Sequence, residues 1–341
     1  STKHEKDRKQ MKKRGLKDIK QRNRQVILQA VLENGGLSRI EIAEKTELAA
    51  STVSTLIGEL LEEGLLIESG NQISTGGRNR IELTINPRYG RIAVIEIGRR
   101  EVCMEMFDMA LKSMGNRVLS KYFSDGNDLY DVIVDAIASC NKSDVPLAGI
   151  GLLFQEDIQD SDFRVMYSTG AASASITLRE ALMSLFRIPI VEEFSPLYAI
   201  TQAMRDIMDP AARNSAHINM GKSVFATVTI EGKTLPLRGD SCETVNRLIC
   251  DGGKAPDADS SLMRQVENLI VVLCSLFSLY SIFISGVETG EEKVSRELWS
   301  KVSQKLTPDK MPDIRFLKMK ENRLGKKILA RKVQMKVLVS Q

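Results

Sequence analysis

The sequence is poor in the residues that build metal centres. Its 341 residues include only two histidines, His4 and His217, and five cysteines, Cys103, Cys140, Cys242, Cys250 and Cys274. No Cys-x-x-Cys pair or Cys/His cluster occurs, so a structural zinc site, which needs about four soft ligands, is not expected. Scattered, unpaired cysteines suit a reducing cytosol, where a free thiol packs as a small hydrophobe. Long hydrophobic runs are also scarce. The longest, "LIVVLCSLFSLYSIFI" at residues 269–284, has sixteen residues including three serines. That is short of the roughly twenty a membrane helix needs. It reads as a buried helix running into a buried strand. No signal-peptide pattern opens the sequence, so a cytoplasmic protein without a membrane partner is expected.

Charge is present in ordinary amount but unevenly placed. The net charge is +4, yet residues 1–24 hold eleven Lys or Arg against three acidic residues. This basic arm, assigned to residues 1–23, points to a polyanion. Taken alone it reads equally as a solvated disordered tail, and the segment is either disordered or an extension of the first helix.

From Arg24 the pattern becomes helical, with Val26, Ile27, Ala30 and Val31 on one face and Asn34-Gly35-Gly36 as a stop. Ser38 and Glu41 have the spacing of a capping box. Ile42 and Ala43 face inward, Thr46-Glu47-Leu48 turns, and Val53, Leu56, Ile57, Leu60 and Leu61 line a second helix. Gly64 sits where a left-handed cap would end that helix. A two-stranded hairpin follows, "SGNQISTGGRNR" being its turn-rich tip and Ile81, Leu83 and Ile85 its inward face. Helix, turn, helix and wing over residues 24–86 predict a winged helix-turn-helix. Ala50, Ser51, Thr52, Ser54 and Thr55 would then enter a major groove. Gly77, Arg78 and Arg80 at the tip suit a narrow minor groove. The reading helix exposes no Arg, Asn or Gln, the usual bidentate donors to G and A. Its partner is therefore expected to be double-stranded DNA with an A·T-rich operator.

After Asn86-Pro87 strands and helices mix. Strands are expected at 91–97, 101–107, 147–153, 189–192, 216–220, 224–230 and 281–285, and helices at 127–140, 175–186, 195–208 and 261–280. This is an α/β pattern with a mixed sheet. The last fifty residues are charged and weakly patterned, and "RLGKKILARKVQMKV" reads as a surface helix.

A winged helix joined by "GGRNRIELTINPRYGRIAVIEIG", residues 76–98, to such an α/β region resembles the ROK family (repressor, open reading frame, kinase). The resemblance covers about residues 24–290. It implies an actin-like, ribonuclease-H-like, two-lobed fold, with lobes at 87–200 and 201–341. It also implies a homodimer or tetramer and repression of carbohydrate genes. The family's kinase sites are largely absent. Its phosphate loop, Asp-x-Gly-x-Thr, falls on Glu96, Gly98 and Arg100. Its catalytic Asp falls on Phe194 and its sugar-binding Asn on Glu193. Its second phosphate loop keeps Gly221 but places Lys222, Ser223 and Phe225 where Thr and two glycines belong. Its zinc motif keeps Glu243 but has Asn246 in place of His. A general base needs a titratable atom near the sugar hydroxyl, and Phe194 has none.

A non-enzymatic regulator is therefore expected, without catalytic residue, metal or cofactor. Arg99, Arg100, Glu192, Glu193, Lys222 and Glu243 mark a candidate ligand cleft for a small-molecule effector. The rival readings are a divergent ATP-dependent sugar kinase and a DNA-bound scaffold that senses nothing.

Overall fold

The computed structural model describes residues 3–73, 80–98, 101–140, 144–155, 163–169, 172–193, 214–220, 224–236, 258–287, 291–316 and 321–339. Helix α1 (Lys3–Asn34) is one continuous helix, so the basic segment extends the first helix and is not coil. Gly35, at φ 75, closes it, its N–H donating to the Val31 carbonyl at 3.1 Å. Ser38 and Glu41 form the expected reciprocal cap of α2 (Arg39–Thr46). After α3 (Ala50–Glu62), Gly64 takes φ 72 and donates to Leu61 at 3.0 Å. Ile27, Val31, Ile42, Val53, Ile57 and Leu60 close a dry core between these helices.

The wing is β1 (Leu66–Ile73) paired antiparallel with β2 (Arg80–Ile85). It is longer than its composition suggests. Pairing resumes after an irregularity between Ser69 and Gln72 and reaches Ile73 opposite Arg80. Ladder bonds here override the turn-rich sequence. Ile81, expected on the inward face, is 46% exposed because the wing runs past the edge of the core. The tip, with Gly77 and Arg78, lies outside the described residues.

The next elements are β3 (Arg91–Ile97), β4 (Val102–Asp108), β5 (Ser113–Ser120), α4 (Gly126–Cys140), β6 (Leu147–Phe154), β7 (Arg164–Thr169), β8 (Ala172–Thr177), α5 (Leu178–Phe186) and β9 (Ile190–Glu193). A five-stranded sheet runs β5-β4-β3-β6-β9, with antiparallel pairs on one side of β3 and parallel pairs on the other. Every residue of central β3 is buried. The helix expected at 175–186 begins only at Leu178. Residues up to Thr177 pair with β7, and Thr177 then caps α5 with Glu180.

The order recurs further on, with β10 (Ser215–Met220), β11 (Val224–Ile230), β12 (Lys233–Pro236), α6 (Ala258–Leu276), β13 (Ser281–Ser285), α7 (Glu291–Ser303) and β14 (Asp313–Phe316). The second sheet is β12-β11-β10-β13-β14, the same alternation of antiparallel and parallel partners. Two copies of one topology make the two-lobed, actin-like arrangement. The long apolar run is indeed split between α6 and β13. Among the described residues no helix is long and apolar enough to cross a membrane. The helix expected at 195–208 lies outside the described residues.

The final helix, α8 (Glu321–Val339), departs from expectation. It is not a surface helix. Leu329, Ala330 and Val333 are fully buried, and Val337 nearly so. It also packs on the first sheet, against β6, β3 and β9, although the sequence grouped it with residues 201–341. Glycines on β6 permit this. A Cβ at Gly149 would stand 2.5 Å from Val333 Cγ1, and one at Gly151 2.8 Å from Leu329 Cγ. A methyl group there would push the helix off the sheet.

Candidate nucleic-acid interface

The head presents two kinds of surface. Val53, Leu56, Ile57 and Leu60 hold α3 in the core. This leaves Ala50, Ser51, Ser54 and Thr55 exposed and Thr52 half-buried. Five small residues make a smooth ridge that a major groove can accept. Thr55 Oγ1 donates to the Ser51 carbonyl at 3.0 Å, which leaves its methyl and an oxygen lone pair outward. Hydroxyls and methyls of this size fit thymine methyls and phosphates.

Ion pairs tie the far end of the reading helix to α1. Lys20 Nζ meets Glu59 Oε1 at 2.7 Å. Arg24 Nη1 donates to Glu63 Oε1 at 2.7 Å, and its Nη2 donates to Oε2 of the same carboxylate. That two-point hydrogen bond holds Glu63 below the usual carboxylate range and raises Arg24 further. On the other side, Arg39 Nη2 reaches Glu68 Oε1 at 3.1 Å and links α2 to the wing. Arg80 is the first residue of β2, at the base of the tip.

The body's acidic side chains are placed differently. Glu96, at the position of the family's phosphate-loop acid, lies at the end of β3 and is 7% exposed. Lys326 of α8, 3% exposed, places Nζ 2.9 Å from Glu96 Oε2 and 4.0 Å from Glu105 Oε2. Ser113 Oγ donates to Glu105 Oε1 at 2.7 Å. An internal ammonium therefore occupies the space beside this acid. Glu193, another candidate cleft residue, accepts from Lys332 of α8. Glu192 is half-buried next to it on β9. Arg99, Arg100, Lys222, Glu243 and Phe194 lie outside the described residues. Among the described residues, no group of three His, Cys, Asp or Glu side chains could hold a metal ion.

Lys326 and Lys332 were missed from sequence. One signal was available. Lys326 shares the 3–4 spacing of Leu329, Ala330, Val333 and Val337, so it occupies a core position of its helix.

Comparison with known proteins bears on the head first. Residues 21–67 match the winged helix-turn-helix DNA-binding family. The xylose repressor of Caldicellulosiruptor bescii is 25% identical over 182 residues, 50% of this chain and 44% of the repressor. The DNA-binding transcriptional dual regulator NagC of Escherichia coli is 33% identical over 94 residues, 28% of this chain and 23% of NagC. The chain thus spans less than half the length of these curated relatives. A solved ROK family transcriptional regulator, described as a homologue of the E. coli MLC protein, superposes with a TM-score of 0.65. It is 13% identical, with 94% of this chain and 98% of that one covered, and the likeness is one of fold. The chain carries a winged helix-turn-helix DNA-binding domain, is homologous to the xylose repressor and NagC, and has the fold of a ROK family regulator.

Proposed function

We propose that the chain is a sequence-specific DNA-binding transcriptional regulator, a repressor of carbohydrate-related genes, whose kinase-like body does not transfer phosphate. One observation carries the DNA reading. A capped, ion-paired winged helix holds a ridge of small residues free of internal partners other than its own backbone. The relatives named as repressors support the same reading. The body's role as a non-enzyme rests on Lys326 beside Glu96 and on Phe194, which cannot act as a base.

The operator is A·T-rich. Much of its discrimination comes from Arg78 and Arg80 in the minor groove, and the body dimerises to set half-site spacing. Replacing both arginines with alanine should leave binding but remove sequence preference in a gel-shift series. Retained preference would refute the wing's role. Labelled ATP offered with a sugar panel should give no phosphorylated product, and turnover would restore the kinase reading. A small-molecule effector acts by favouring one dimer geometry over another. A thermal-shift screen of sugars and sugar phosphates should therefore raise the melting temperature for at least one compound. Silence throughout would leave a DNA-bound scaffold instead.

A further inference from the structure

The first lobe carries a cavity of about 370 Å³ at the end of its sheet away from Glu96. Arg91 opens β3 and Leu147 opens β6, and the two residues are register partners. Both line the cavity, together with Asp144, Pro146, Phe186 and Ile188. Glu96 stands five residues further along β3, roughly 17 Å away at about 3.3 Å per residue. The cavity is therefore separate from the acids met by α8. Its size falls within the range of small-molecule sites, about 300–1,000 Å³.

Its polar element is a buried guanidinium. Arg91 is 6% exposed. Its Nε donates to the Val145 carbonyl at 2.8 Å and its Nη1 to the Cys140 carbonyl at 2.9 Å. Among the described residues Nη2 has no hydrogen-bond partner, and no carboxylate pairs with Arg91. Nη2 is not sealed from solvent either, so it faces the space that Arg91 borders. Supporting the end of α4 does not require this burial. Arg117 Nη2 donates to the Ala136 carbonyl of the same helix at 2.7 Å from an exposed position. A buried cation with an unused donor and no paired acid suits an anion from outside. Leu147, Phe186 and Ile188 are half-buried and give the cavity an apolar wall. Asp144 is exposed and adds a negative charge that repels a second one on a ligand.

The cavity also adjoins the link to the head. The Asn86 backbone N–H donates to the Leu65 carbonyl at 2.9 Å, and its Nδ2 donates to the Gly64 carbonyl at 2.8 Å. Its Oδ1 accepts from the Arg88 N–H and caps the 3-10 turn Pro87–Tyr89. A Cβ at Gly90 would stand 2.5 Å from Ala148 Cβ, so the chain lies tight against the start of β6. The Arg91 N–H then donates to the Pro146 carbonyl at 2.8 Å. A short, braced segment thus joins the base of the wing to the guanidinium.

We infer that this cavity is an effector site for a small monocarboxylate with a compact apolar body. The carboxylate accepts from Arg91 Nη2, and the body lies against Phe186 and Ile188. A ligand held there fixes Arg91, and with it the path of the link to the head. The effect on operator affinity rests on the DNA-binding reading; the binding itself does not.

Calorimetry of the full chain without DNA tests the site. The probes are benzoate and 4-methylpentanoate, with benzamide as a neutral isostere and phthalate as a dianion. At least one monocarboxylate should bind, and benzamide and phthalate should bind at least about tenfold more weakly. Arg91→Gln should weaken the monocarboxylate at least about tenfold. Arg91 also supports the end of α4, so Ile188→Trp is the second variant. It fills the cavity, leaves both carbonyl bonds of Arg91 in place, and should abolish binding while circular dichroism shows the fold kept. Asp144→Asn should narrow the gap between phthalate and the monocarboxylate. Saturating monocarboxylate should shift the operator affinity of the unaltered chain at least about fivefold in gel shift and leave that of Ile188→Trp unmoved. Failure of both monocarboxylates to bind, equal binding of benzamide, or binding retained in Ile188→Trp would overturn the site. Binding with unchanged operator affinity would overturn its effector role. A chain that binds the probe yet selects no operator would leave the site standing and remove the DNA-binding reading.

Discussion

The head and the first lobe handle charge in opposite ways. In the head, ion pairs such as Lys20–Glu59 and Arg24–Glu63 lie at the back of α3 and leave its front free. In the lobe, Glu96, Glu105 and Glu193 are each met by a lysine of α8. Lys326 is buried beside Glu96 and Glu105, and Lys332 meets Glu193. A surface keeps its capacity to bind when its polar groups have no internal partner, and a cleft loses it when they do. Among the described residues, the head keeps a ridge of small polar residues outward, while the carboxylates of the first lobe are neutralised from within.

The largest expected effect breaks the cleft's internal neutrality. Lys326→Ala strands Glu96 and Glu105 in the interior and should cost about 3–5 kcal/mol in chemical denaturation. Replacing Lys326 with Met and Glu96 with Leu together should recover more than half of that loss. A single-variant cost below about 1 kcal/mol would mean the pair is solvated and the cleft open.

Next comes the second lobe. His217 is fully buried on β10, with Nε2 2.8 Å from Ser285 Oγ, and burial pushes its pKa down to about 4. Above pH 6.5 both folded and unfolded states hold it neutral. As pH falls from 6.5 to 4 the unfolded chain takes up a proton that the folded chain does not. Stability should therefore drop by about 3 kcal/mol across that window, with no further loss from this group below it. His217→Leu should make the acid-side slope shallower by about one proton.

Much of the head was legible because its signals are local. Ser38 with Glu41, Gly64 and the 3–4 spacing of Val53, Leu56, Ile57 and Leu60 each act within a few residues. The central strands were legible too, since β3 is apolar at almost every position. The edge strands were not. β5 is polar and exposed along most of its length, and β14 is only four residues long. α8 was misjudged because lysines dilute its apolar face. The carboxylates that neutralise them lie more than a hundred residues away in sequence, a relation no local pattern displays.

Two smaller effects sharpen the contrast within the head. Ser38→Ala removes one half of the reciprocal cap on α2 and should cost about 1 kcal/mol. Ser51, Ser54 and Thr55→Ala should change stability by less than about 0.5 kcal/mol, because these side chains lie on the surface. The same variant should lose operator affinity about tenfold or more in gel shift. A stability loss without an affinity loss would reverse the assignment of that face.

The central claim is that the head grips duplex DNA by sequence. Selection of genomic fragments by the purified chain at low ionic strength tests it most directly. The account predicts enrichment of paired A·T-rich half-sites at one fixed spacing, lost when Arg78 and Arg80 are both alanine. Failure to retain double-stranded DNA, or retention without any enriched sequence, would contradict it.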